Sequence, residues 1–170
     1  MVLAALLLAL AYVLPFLTGQ LPQIGAMLCP LHIPVLLAGF ILGAPWGGAV
    51  GFIAPLFRAL TLGMPPLFPT AITMSLELAT YGTVSGLAHK LLPKKKPFIY
   101  LSLLVAMLLG RVVWGLAMLV CLGATGGAFT VTAFLAGAFV NAVPGIILQL
   151  VLVPIAVMLA EDRVLKFSKK

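Results

Sequence analysis

The sequence predicts an all-α integral membrane protein, a single domain over residues 1–170, with six transmembrane helices and both termini cytoplasmic. Three observations carry that prediction. First, 64% of the 170 residues are hydrophobic and 8% are charged, against about 25% charged in a soluble domain, so the chain cannot present a wetted surface. Second, the apolar runs are long and lack the alternation of apolar and polar residues that a strand shows, which argues for helices over a β-barrel. Third, the basic residues gather in two places: Lys90, Lys94, Lys95 and Lys96 in one hydrophilic break, and Arg163, Lys166, Lys169 and Lys170 in the tail. Short loops rich in lysine and arginine stay in the cytoplasm.

The elements follow in order. Residues 2–17 form the first helix, retained because no basic n-region precedes it. A loop with Gly19, Gln20, Pro22 and Gln23 leads to a short second helix, 32–42. Its eleven residues cover about half of a bilayer core, so neighbours must shelter its ends, or a cavity must bring water to them. Gly43-Ala44-Pro45 turns the chain into a third helix, 46–62, and the proline-stiffened GMPPLFP (63–69) leads to a fourth, 70–92. PKKKP (93–97) is the cytoplasmic turn before a fifth helix, 98–122. The glycine-rich GATGGAFT (123–130) precedes a sixth, 131–160. An even number of helices puts PKKKP and the tail on one side; five or seven would separate the two basic clusters.

The net charge of +7 is explained by those clusters and gives no reason to expect nucleic acid. The sequence contains no GxxxxGK[ST], HExxH, GxSxG or CxxC, so neither a P-loop ATPase nor a recognisable enzyme is indicated. Cys29 and Cys121 make neither a disulfide framework nor a metal-binding spacing. No cofactor and no metal is expected.

Ionisable side chains inside apolar spans are costly and mark pairs, watered cavities or functional sites. Here they are His32, Arg58, Glu77 and Arg111, joined by Asn141, all in the outer half or near the midplane. A Glu77–Arg111 salt bridge between two helices is the structural reading. It leaves Arg58 either to reach outward to lipid headgroups or to meet an anionic ligand. Helical spacing adds Trp114, Gly115 and Met118 to the face of Arg111, Met74 and Tyr81 to that of Glu77, and Gly145 and Gln149 to that of Asn141. Each stripe alone suits helix packing as well as binding.

GAMLCPLHIPVLLAGFILGAPWGGAVGFIAPLFRALTLGMPPLFP resembles the corresponding region of the substrate-binding S components of energy-coupling factor (ECF) transporters. In that family a polar loop leads into a short apolar helix with a V/I-P step, then a glycine–proline turn and a glycine-rich third helix. Ile33-Pro34, Gly43 to Gly47 and Gly47 to Gly51 occupy those places, and Ala5 and Ala9 give the small-residue step of the family's first helix. The resemblance implies a six-helix subunit that binds a vitamin under the loops after helices one, three and five. It implies partners too: a transmembrane coupling protein, met through Ala5 and Ala9, and two cytoplasmic ATPases.

The expected function is capture of a vitamin or cofactor-like, anionic solute. The candidate substrate-binding residues are Met27, His32, Arg58, Met64, Glu77, Arg111, Trp114 and Asn141. Two tryptophans and three tyrosines are few for an aromatic cage around a flat vitamin. His32 stands as a ligand to a carboxylate or a metal-centred ring, or as a wetted interface residue. GATGGAFT is expected to move on binding and GMPPLFP to stand as a fixed wall. The alternative is a structural or scaffold subunit of a cell-envelope complex; an intramembrane enzyme using Glu77 and His32 lacks a nucleophile–base constellation.

Overall fold

Small residues give α1 (Val2–Val13) a thin inner face: Ala4, Leu7 and Ala11 are buried, and the helix packs there against α2 (His32–Leu42) and α3 (Ala44–Leu62). The structure, a computed structural model, describes residues 1–18, 27–93 and 95–168, the side chains of Thr18 and of residues 161–168 excepted. The predicted loop residues Gly19, Gln20, Pro22 and Gln23, Lys94 of PKKKP, and Lys169 and Lys170 lie outside the described residues, as do the side chains of Arg163 and Lys166. All regular structure among the described residues is helical.

A 3₁₀ turn, Leu14–Thr18, follows α1. The expected short helix is there with its predicted bounds, and it is the centre of the bundle. α2 contacts α1, α3, α4 (Ile72–Leu91) and α7 (Val143–Ser168), and eight of its eleven residues are buried. Its N-terminal end is therefore sheltered by protein, as the half-membrane length requires, while Ile41 near the other end is 41% exposed. Pro34 sits in the first turn, where a missing N–H costs little. Gly43, with φ +88°, closes α2 and opens α3 in one residue, a left-handed backbone that only glycine adopts freely.

Glycine also sets how closely α2, α3 and α4 meet. A Cβ built on Gly47 would lie 2.5 Å from the Gly82 carbonyl oxygen and 2.6 Å from Gly39 Cα. Three backbones thus touch where side chains would otherwise hold them apart, the contact that small residues provide between membrane helices. A π turn, Leu67–Ala71, leads into α4. α5 (Lys96–Ala124) is the longest helix before the tail, 29 residues, about 44 Å at 1.5 Å per residue.

The predicted sixth helix is divided. α6 (Val131–Leu135) and a π turn, Ala136–Val140, end at a turn over 141 and 142, and α7 begins anew. Pro144 is the physical reason: a continuous helix would need its N–H for the carbonyl of Val140, and its ring would crowd that carbonyl. In the first turn of a new helix the missing N–H costs nothing.

The surface inverts that of a soluble protein. Along α5, Leu101, Leu104, Leu108, Val112, Leu116 and Leu119 are exposed, while Ser102, Gly110 and Arg111 are buried. Two segments, α5 and 143–160, are long and apolar enough to cross a membrane. α3 and α4 have the length, 19 and 20 residues, but glycine, hydroxyl and charged residues dilute them because their inner faces pack on neighbours rather than lipid.

Candidate functional site

α4 carries Glu77 and Tyr81 one turn apart on its buried face. Gly110 on α5 makes room for the Tyr81 ring, which a Cβ at that position would strike. The next residue, Arg111, places Nη1 3.1 Å from Glu77 Oε1, with both side chains buried. The pair cancels two charges that would each be prohibitive alone in a low-dielectric interior.

Two groups from the start of α2 complete the cluster. His32 Nε2 lies 3.6 Å from the same Glu77 oxygen, too far for a hydrogen bond. Its ring meets Tyr81 edge-on at 5.2 Å. Cys29, whose backbone takes φ +48°, turns the chain into α2, and Arg111 Nη2 donates to its Sγ at 3.9 Å. His32 is 2% exposed, so the wetted-interface reading does not describe it; the imidazole sits beneath the surface beside a carboxylate.

A groove of about 300 Å³ opens one turn along α5, between Val112, Gly115, Leu116 and Leu119 and, opposite, Phe129 and Phe134. Trp114 stacks on Phe134 at 6.2 Å and meets Phe129 edge-on at 5.9 Å. Phe139 adds a T-shaped contact to Phe134. Counting only tryptophan and tyrosine missed this aromatic wall, which is built from phenylalanine.

Arg58 makes its contacts elsewhere. It is 4% exposed, Nη1 donates to the carbonyl of Tyr12, and its guanidinium carbon stands 5.6 and 5.5 Å from the ring centroids of Tyr12 and Phe16. After α1 tightens to 3₁₀, the donor for the Tyr12 carbonyl would be the residue three further on, and that is Pro15, with no N–H. The arginine supplies the missing donor. Met27 and Met64 are 43% and 46% exposed. Asn141 is exposed in the turn before α7, so it does not share the buried face of Gly145 and Gln149 as a continuous sixth helix would have it. Ala5 and Ala9 are exposed on α1, on the side away from Ala4, Leu7 and Ala11.

Among the described residues no group of three or more His, Cys, Asp or Glu is placed to hold a metal ion. Comparison with curated proteins and with solved structures returns no match. The model of one family, described as ECF transporter, substrate-specific component, matches residues 1–157. This chain belongs to the ECF substrate-specific components. An ECF substrate-specific component is a non-enzymatic binding subunit that works with a membrane coupling protein and ATPases. The exposed leucines of α5 and the buried Glu77–Arg111 pair fit a membrane protein of that kind.

What this ECF component could offer a solute is a buried polar cluster and, one helical turn away, an apolar groove with aromatic walls. Tyr81 and Gln149 were visible in the sequence only as members of helical stripes. Their burial, 0% and 1% exposed, is a tertiary property.

Proposed function

We propose that this chain captures a small vitamin- or cofactor-like solute at the outer face of a bacterial plasma membrane and delivers it through a coupling protein driven by two cytoplasmic ATPases. It does so as a six-crossing subunit with both termini inside, α6 and α7 counting as one passage. The single observation that supports the transport reading over a scaffold is the two-sided α1. Ala4, Leu7 and Ala11 seat the helix on the bundle, while Ala5 and Ala9 lie exposed on the other side. Small residues there allow a partner helix to approach closely and slide. The absence of a P-loop from the sequence fits energy supplied by another chain.

The binding region combines Glu77, Arg111 and His32 with the groove lined by Phe129 and Phe134, on whose rings Trp114 packs, and with Met27 and Met64 at the surface. The expected anionic solute rested on an excess of arginine. Glu77 answers Arg111, and Arg58 is turned toward α1, so an anion would have to draw Arg58 away from Tyr12.

Co-purification with the coupling protein and ATPases tests the reading. Ala5→Leu and Ala9→Leu should each abolish or sharply reduce assembly while the subunit stays folded in detergent. Normal assembly and transport by both variants would remove α1 as the docking face. Copurification with envelope machinery instead of an ATPase module would favour the scaffold.

A further inference from the structure

Most buried hydroxyls of this bundle are satisfied within their own helices. Ser75 donates to the carbonyl of Ala71 at 2.7 Å, Ser102 to Phe98 at 2.8 Å and Thr73 to Thr70 at 3.1 Å. Among the described residues six side chains depart from that economy: Arg58 through Nε, beside Tyr12, Glu77 through Oε1, which the ion pair with Arg111 meets, and four more. Both ring nitrogens of His32, the hydroxyl of Tyr81, both amide atoms of Gln149 and Nε of Arg111 are buried without a hydrogen-bond partner. These residues are 2%, 0%, 1% and 7% exposed.

Three of the four surround Glu77. The Tyr81 hydroxyl is close enough to feel the carboxylate yet makes no hydrogen bond of ordinary geometry. Gln149 belongs to α7. A Cβ on Gly145 would lie 2.7 Å from the Met27 carbonyl oxygen and 2.9 Å from that of Leu28, so α7 rests on the chain just before Cys29, the residue that Arg111 touches. Gln149 lies one turn further along that face, about 6 Å, and α7 packs on α2, which begins with His32.

An unmet buried polar group costs stability, and lipid offers nothing to meet it. We propose that His32, Tyr81, Gln149 and Arg111 Nε recognise an uncharged amide- or lactam-type head group on the transported solute. The proposal rests on the transport reading above and deepens it by naming the solute's chemistry. Charge decides the class. Glu77 and Arg111 cancel, so a carboxylate head would face Glu77 with no cation of its own, and a cationic head would face Arg111. The unmet groups match an amide, which needs both partners: Arg111 Nε–H and the Gln149 NH₂ donate, the Gln149 oxygen accepts, and Tyr81 and neutral imidazole can do either. The apolar remainder of the solute would lie along α5 toward the groove lined by Gly115, Leu116, Phe129 and Phe134.

Benzamide and benzoate, nearly isosteric and different in charge, are the probes, with the full-length chain in detergent at pH 7. Calorimetry should find benzamide binding and benzoate at least about tenfold weaker. Tyr81→Phe and Gln149→Leu should each weaken benzamide about tenfold, one hydrogen bond's worth. The unliganded thermal midpoint should stay level or rise, because each change deletes a group that has no partner. A falling midpoint would mean that these groups have structural partners, and would overturn the proposal. So would tighter binding of benzoate, or binding of neither probe. Assembly with the coupling protein judges the transport reading separately: a subunit that assembles but prefers benzoate keeps that reading and loses the neutral head.

Discussion

Glu77 answers Arg111 at 3.1 Å and faces His32 at 3.6 Å, and its neutralisation would leave a buried guanidinium unmatched. Breaking one side of such a pair costs about 3–5 kcal/mol, whereas replacing both partners with apolar groups can be close to neutral. Glu77→Gln should therefore lower the thermal midpoint strongly, and Glu77→Leu combined with Arg111→Met should recover much of the loss. A single variant as stable as the parent would show that the pair does not carry this load. The pair was legible in the sequence because opposite charges inside apolar spans have few other ways to exist. The partner of Arg58 was not legible: it is a backbone carbonyl, which every residue has, and only the 3₁₀ turn and Pro15 leave that of Tyr12 in need. Arg58→Met should cost about 1–3 kcal/mol for the unmet carbonyl and speed amide exchange around residues 12–18, which mass spectrometry can read. Unchanged exchange there would mean that the arginine does not hold the end of α1.

Among the elements, α2 was predictable from length alone, since eleven apolar residues need shelter. The close junction around it was only half visible. Gly47 and Gly51 stood out on one helix, but that Gly47 meets Gly82 and Gly39 depends on how three helices fold together. Gly47→Val should prevent folding or lower the midpoint by several degrees, because the nearest atoms are backbone and cannot swing aside; a variant of parental stability would mean that the helices can separate at no cost. The divided sixth helix followed from Pro144, whose consequence the apolar run concealed. The two loops differ in what packs beside them. The π turn that begins within GMPPLFP packs on α3, α4 and α5, while Cβ atoms built on Gly63, Gly123 and Gly126 would all meet open space. Solute binding should protect residues 123–130 from hydrogen exchange more than 63–69. The reverse order would exchange the roles of gate and wall.

At the scale of the whole molecule, apolar side chains face out and the charged cluster faces in, the reverse of a soluble domain. That inversion was legible from composition, because so few charged residues can only be hidden or placed at the ends. Orientation rests on the same residues. Lys90, Lys95 and Lys96 are exposed at the end joining α4 to α5, and the connections 63–69 and 123–130 carry no charge. If α6 and α7 cross as one passage, as proposed, the lysine turn and the C-terminal basic tail fall on the same side, and the positive-inside rule predicts that side to be cytoplasmic. Lys95→Cys and Thr125→Cys, each in a Cys121→Ala background, place single accessible thiols at opposite ends of α5; Cys29 is buried. In intact cells a membrane-impermeant maleimide should label the Thr125→Cys protein and reach the Lys95→Cys protein only after permeabilisation. Equal labelling of both from outside would break the even count of crossings, and labelling of Lys95→Cys alone would turn the subunit over, putting the groove between α5 and Phe134 on the cytoplasmic side.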